Sequence, residues 1–184
     1  MVNVSRQPLS VLIITAILSG SVMLYEGYSP VAYTPIKGDV LTIGVGTTTY
    51  PDGQKVALGD TVTRAQAATY LQHDLDVFKQ GMMKCIKVPL YQNEFDSYLS
   101  LTYNIGTTAF CTSSIPFKLN QGDYLAACNV ILQFNKMRDV SKPKVRNPRT
   151  GKMQYQLKVV KGLDNRRKSE YKTCTGESTA WLIL

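Results

Sequence analysis

The sequence predicts an α+β fold: a small antiparallel β-hairpin lobe and a mostly helical lobe, preceded by an apolar N-terminal helix. Three observations predict it. Residues 28–60, "YSPVAYTPIKGDVLTIGVGTTTYPDGQKVALGD", are dense in Gly, Pro, Thr and Val, the composition of short strands and turns. From Thr63 onward apolar residues recur at helical spacing. Between Arg6 and Glu26 no residue carries a charge. Helices segregated from a small antiparallel sheet make an α+β domain, and 184 residues suffice for one such domain with a real core.

The N-terminal span comes first in the chain. As a helix, residues 7–25 would extend about 28 Å, close to the thickness of a bilayer core. Arg6 and the amino terminus on its near side favour an N-in orientation. Three readings are open: a permanent anchor, a cleaved signal peptide with a small-x-small site at Ser19-Gly20-Ser21, or a weak anchor that later leaves the bilayer. Ser10, Thr15, Ser19, Gly20 and Ser21 dilute the apolar run and lower the cost of exit. The third reading is preferred, with Val22–Tyr25 then joining a soluble helix.

In the hairpin lobe, turns are expected at Lys37-Gly38-Asp39 and Pro51-Asp52-Gly53. Thr63 and Gln66 have capping-box spacing, and Ala67, Leu71, Leu75 and Phe78 follow on one helical face. His73 lies off that stripe and is expected to be solvent-exposed. A second helix carries Phe95 and Leu99 inward and stops at Gly106. "FKLNQGDYLAACNVILQF" reads as a helix, a break at Gly122-Asp123, and another helix capped by Asp123. Residues 136–157, with Pro143, Pro148 and Gly151 among charges, form a surface loop or small hairpin. A closing helix starts near Gly162.

Charge is unevenly spread. Residues 136–172 hold 13 Lys/Arg against 3 Asp/Glu (+10), and the remainder holds 8 against 10 (−2), together the total of +8. Such a region is either a solvated basic face or a contact for an anionic partner. Neither zinc-finger spacing nor an aromatic RNA-binding strand motif accompanies it, so a specific nucleic-acid binder is disfavoured. The cysteines, Cys85, Cys111, Cys128 and Cys174, form no C-x-x-C pair, and His73 is the only histidine, which argues against zinc. An even count behind an export-like N-terminus points to two disulfides. Three pairings are open, with Cys85–Cys111 and Cys128–Cys174 the working choice.

The chain has no G-x-S-x-G element and no phosphate-cradling loop, so its chemistry falls to carboxylates. Glu26 stands at the end of an apolar helix, where desolvation would favour the protonated form that a general acid needs. Asp39 and Thr42, in "KGDVLTIG", could hold and activate a water. An acid on one side and a base with water on the other suits glycoside hydrolysis with inversion. The competing reading makes Glu26 a solvated helix end, Asp39 a turn residue and Thr42 an ordinary strand residue.

Glu26-Gly27, "AY" at 32–33 and "TIGVGTT" at 42–48 resemble the opening of the phage-type lysozymes, glycoside hydrolase family 24. "TRAQAATYLQHDL", "FDSYLSLTYNIGTTAFCTSS", "KLNQGDYLAAC" and "GLDNRRKSEYKTC" follow in the order of that family, so the likeness covers about residues 25–176. An apolar leader joined directly to Glu26 further resembles signal-anchor-release endolysins. The resemblance implies a lysozyme-like domain at 25–184 behind a signal-anchor-release segment at 1–24. It also implies hydrolysis of β-1,4 links in peptidoglycan by a monomer without a cofactor. Residues 9–25 would sit in the host inner membrane before release to the periplasm. Glu26 matches the family's acid and Thr42 its hairpin threonine. The aspartate departs: Pro35 stands where the family carries it, one extra residue separates Tyr33 from Thr42, and Asp39 is the nearest hairpin carboxylate. The basic region would help hold an anionic wall, while Arg166 and Arg167 are read as buried partners of Glu170. Two rivals remain: a wall-binding protein inactivated by the change to Pro35, and a lytic transglycosylase.

Overall fold

The computed structural model describes residues 5–35 and 39–178. The N-terminal span is not one long helix. Residues 5–15 form an irregular strap, and helix α1 covers only Ala16–Glu26, 11 residues. Among the described residues no helix is long and apolar enough to cross a membrane. One reason is local and the others are tertiary. Thr15 is extended and its hydroxyl accepts from Leu18 N–H, which starts the helix there. Upstream, the strap is drawn onto the folded body: Leu9 and Leu12 are buried, and Gln7 exchanges backbone hydrogen bonds with Leu90. Arg6 donates twice to Glu94, at 3.0 and 2.7 Å, with its guanidinium over the rings of Tyr91 and Tyr124. In α1, Leu18 and Val22 enter the core while Ile17 and Leu24 stay exposed. The strap and α1 therefore share the core of the rest of the chain.

Gly27 lets the chain turn out of α1. Its φ of 76° is a conformation that side chains rarely adopt, and its N–H caps the helix on Met23 O. Strand β1 (Ser29–Tyr33) then pairs antiparallel with β2 (Thr42–Gly44), with Ser29 opposite Gly44 and Tyr33 opposite Thr42. The expected turn between them includes residues 37 and 38, which lie outside the described residues. At Pro51-Asp52-Gly53 a tight turn forms as expected, closed by Gly53 N–H on Tyr50 O.

Helix α2 (Arg64–Met83) begins at the Thr63–Gln66 capping box, both halves of which are made. Helix α3 (Gln92–Ile105) runs through the centre of the helical lobe, with Phe95, Tyr98, Leu99 and Leu101 fully buried, and ends at Gly106. A short helix not expected from the sequence, α4 (Thr107–Thr112), follows before α5 (Ser114–Asn120). Asp123 caps α6 (Tyr124–Ile131) by accepting from Ala126 N–H. Residues 136–159 form a ribbon of two small antiparallel pairs, β3 (Lys136–Arg138) with β6 (Leu157–Val159) and β4 (Val145–Arg146) with β5 (Met153–Gln154). Helix α7 (Lys161–Thr175) closes the domain against α3.

The disulfides are Cys85–Cys111 and Cys128–Cys174. They close loops of 26 and 46 residues, each worth about 3 to 4 kcal/mol by the loop-entropy relation. The second ties α6 to the end of α7.

Candidate active site

Glu26 is the last residue of α1, so its position depends on how that helix docks. Its carboxylate meets α7: Arg166 Nη1 donates to Glu26 Oε1 at 2.6 Å. Arg166 is itself buried, stacked 4.7 Å from the Tyr25 ring, and donates through Nε to Glu170 Oε1 and through Nη2 to Ser100 O. Glu170, fully buried, also accepts from the Ser100 hydroxyl and from Arg167 Nη2. Arg167 reaches on to Asn104 Oδ1 at 3.2 Å. Two carboxyl groups and two guanidiniums thus close a quartet, with three of its members inside the protein. Burial pulls the Arg166 guanidinium down, but the charges of Glu170 and Glu26 outweigh it and hold the group above its ordinary value.

This neighbourhood differs from the apolar pocket that the sequence suggests for Glu26. The flanking helix is apolar, but the carboxylate faces a guanidinium from 140 residues away in the chain. The reading of Arg166 and Arg167 as buried partners of Glu170 matches the structure; the contact of Arg166 with Glu26 escaped it. Its only signal lay in the pairing of the "EG" and "GLDNRR" segments within one resemblance.

The hairpin carries the other two residues singled out by the sequence. Thr42 is buried in β2 and its hydroxyl donates to Val40 O at 3.2 Å. Asp39 is exposed on the segment leading into β2, and among the described residues no hydrogen bond or ion pair joins it to Glu26 or Thr42. Tyr103, near the end of α3, links the two sides. Its hydroxyl donates to Val45 O at 2.8 Å, just beyond β2, and packs so closely on Gly46 that a side chain there would meet it. Burial first, then the charges of Asp74 and Glu26, push the Tyr103 phenol well above its ordinary value. Asp74, raised chiefly by burial, accepts from the Thr47 hydroxyl at 2.7 Å and fixes the hairpin to α2. His73 is half exposed beside Asp74, and no three His, Cys, Asp or Glu side chains gather as a metal site among the described residues.

Asn104 edges one cavity and Tyr103 another, and Glu26, Asp39 and Thr42 line neither of them. One of about 830 Å³ is lined by Asn104, Gln133, Phe134, Asn135, Lys136 and Leu157. The other, about 420 Å³, is lined by Thr48, Tyr50, His73, Asp74, Phe78 and Tyr103. Amide and hydroxyl groups interspersed with aromatic rings suit an amphipathic sugar chain.

The Phage lysozyme family model matches residues 23–170, from α1 to the Glu170 end of the quartet. The chain is 34% identical to the SAR-endolysin of Pseudomonas phage phiKMV, over 97% of this chain and 98% of that one. It is 38% identical to the endolysin of Salmonella phage P22 over 111 residues, 60% of this chain and 75% of the relative. Among solved structures, the endolysin from Escherichia coli O157:H7 phage FAHEc1 superimposes with a TM-score of 0.72 at 31% identity, covering 91% of this chain and 96% of that chain. The chain belongs to the phage lysozyme family and is a glycoside hydrolase, an endolysin that hydrolyses peptidoglycan.

Proposed function

We propose that Glu26 is the general acid of this hydrolysis and that Asp39 with Thr42 directs the attacking water. The observation that carries the reading is the Arg166–Glu26 contact. A proton donor must be held in one orientation, and a guanidinium buried in a charge network fixes one carboxyl oxygen and leaves the other for the substrate. Glu26 protonates the leaving glycosidic oxygen as the C–O bond breaks. Water adds to the anomeric carbon from the opposite face and gives its proton to Asp39, so one water is consumed per bond with inversion. Thr42, following Asp39 by three residues, orients that water. The glycan runs past Glu26 toward the cavities edged by Asn104, which binds Arg167 of the quartet, and by Tyr103, which binds the hairpin at Val45.

Residues 1–24 act, in this proposal, as the signal-anchor-release segment and residues 25–184 as the catalytic domain, a monomer. The full-length likeness to a SAR-endolysin supports it. While residues 9–25 lie in the inner membrane, α1 is not docked, Glu26 has no Arg166, and the site is incomplete. On release to the periplasm the strap and α1 take the arrangement described above. Arg6, which holds the amino end inside during anchoring, is then the partner of Glu94.

Digestion of purified peptidoglycan in ¹⁸O-water tests the reaction. One labelled oxygen at each new reducing end, with inverted configuration, is expected. Anhydro ends without label would identify a lytic transglycosylase, and an inert but folded protein a wall-binding relative. Fractionation during export tests the membrane stage. Full-length chain is expected first with the inner membrane and later in the periplasm; a chain shortened at Ser19–Ser21 would contradict release without cleavage.

A further inference from the structure

In the ribbon formed by residues 136–159, Lys136, Met137 and Leu157 at the base line the larger cavity, while the outer part, from Arg138 through Val140, Arg146 and Met153 to Lys158 and Val159, serves neither that cavity, the quartet nor the core. The ribbon carries eight Lys/Arg and a single acid, Asp139, a balance of +7 over 24 residues. Asp139 is already engaged, by Ser141 and Lys158. The register adds a second feature. Four of its five cross-strand pairs set a cation beside an aliphatic or thioether side chain: Lys136–Val159, Met137–Lys158, Arg138–Leu157 and Arg146–Met153. Cross-strand partners share a face of a ribbon, so both faces carry the mixture. All of these side chains are exposed, as is Val140 at the ribbon's bend, so neither face is covered by the domain. A solvated ribbon has no use for so many apolar side chains in water. A purely anionic polymer would reward the cations alone.

We infer that this ribbon is a docking surface for an anionic phospholipid bilayer. Lipid headgroups present phosphates at the depth that Lys and Arg reach, and the acyl boundary just beneath accepts side chains the size of Val, Leu and Met. Alternation of cation and aliphatic along both strands fits that layered surface. The ribbon is separate in sequence from residues 9–25, so it keeps the released enzyme close to the membrane without reinsertion of its N-terminal segment.

Co-sedimentation of the full-length protein with vesicles provides the test, using phosphatidylcholine alone and phosphatidylcholine mixed with phosphatidylglycerol. The ribbon's contribution is the increase in binding that phosphatidylglycerol brings, since the N-terminal segment contributes to both vesicle types. Two variants are compared: V140S/M153S/V159S removes apolar tips, and R146E/R149E/K152E reverses charge. The apolar variant is expected to lose about tenfold in that increment, and the charge variant about a hundredfold. Hydrolysis of purified peptidoglycan by both should match the parent, which also reports that they fold. Equal binding of the parent to both vesicle types overturns the inference. So does an apolar variant that binds like the parent while the charge variant does not, or a loss of peptidoglycan hydrolysis parallel to the loss of vesicle binding; either assigns the ribbon to an anionic polymer.

Discussion

Helices α1 and α7 meet at one ion pair, yet they are held in very different ways. Helix α7 is fastened by a disulfide, packs along α3, and buries Arg166, Arg167 and Glu170 in a network satisfied from several elements. Helix α1 contributes Leu18 and Val22 to the core but leaves Ile17 and Leu24 in water, and no covalent link holds it. Its strap is secured by individual contacts instead: Arg6 on Glu94, Thr15 on Asp96, Gln92 on Ile13, Lys79 on Leu12. One half of the site is built in and the other is laid on. That asymmetry suits the proposed release of this segment from a bilayer: exposed apolar residues on α1 are compatible with lipid, and the half carrying Arg166 is built without it.

Substitution in the fixed half is expected to have the largest effect. Glu170→Ala leaves two buried guanidiniums short of a carboxylate and should cost about 3 to 5 kcal/mol in urea unfolding. A loss below about 1 kcal/mol would mean that the quartet is not a packed unit. On the facing hairpin, Asp39→Asn should lower peptidoglycan hydrolysis about a hundredfold without changing the melting temperature. A near-parental rate would make Asp39 a turn residue and leave Thr42 to place water alone. The laid-on half is sharpened by Arg6→Ala, which strands the buried Glu94 carboxylate. It should cost about 2 kcal/mol, and proteolysis of the strap should rise before that of α7.

An effect confined to one pH range is expected at Asp96, where burial pushes the carboxyl up to about 6 against the opposing bonds from Gln92 and Thr15. A raised folded value means that the native state holds the proton more tightly than the unfolded chain does. The penalty is absent below pH about 4, where both states are protonated, and grows in fully as pH rises through about 6. Asp96→Asn should therefore stabilise the protein by up to about 3 kcal/mol at pH 7 and have little effect at pH 4. Equal effects at both pH values would show that Asp96 is not penalised on docking the strap.

Much of the helical lobe was legible because its signals are local. The Thr63–Gln66 box, the Gly106 stop and the Asp123 cap each act within one turn, and each forms as the spacing implies. Helix α4 was missed because six residues of "TTAFCT" carry too little periodicity to register. The strap's path on the folded body was not legible, because an apolar run says nothing of partners elsewhere. Glu94 and Leu90 lie more than 80 residues on, and they determine its path. The site divides in the same way. Glu26 and Thr42 stand out by motif, and the role of Glu170 follows from the spacing of Arg166 and Arg167 on one helix. The join between Glu26 and Arg166, a tertiary fact, left no local trace. Asp39 sits on an exposed loop whose sequence departs from the family at Pro35, so neither pattern nor packing fixes it.

In the proposed mechanism Glu26, oriented by Arg166, delivers the proton. The direct measurement is the rate of peptidoglycan hydrolysis by Glu26→Gln alongside its unfolding free energy. Glutamine keeps an oxygen for Arg166 but has no proton to give in its place, so the rate should fall about 10³-fold while stability falls by no more than about 2 kcal/mol. A folded Glu26→Gln protein that still lyses walls at a rate near the parent's would contradict the account.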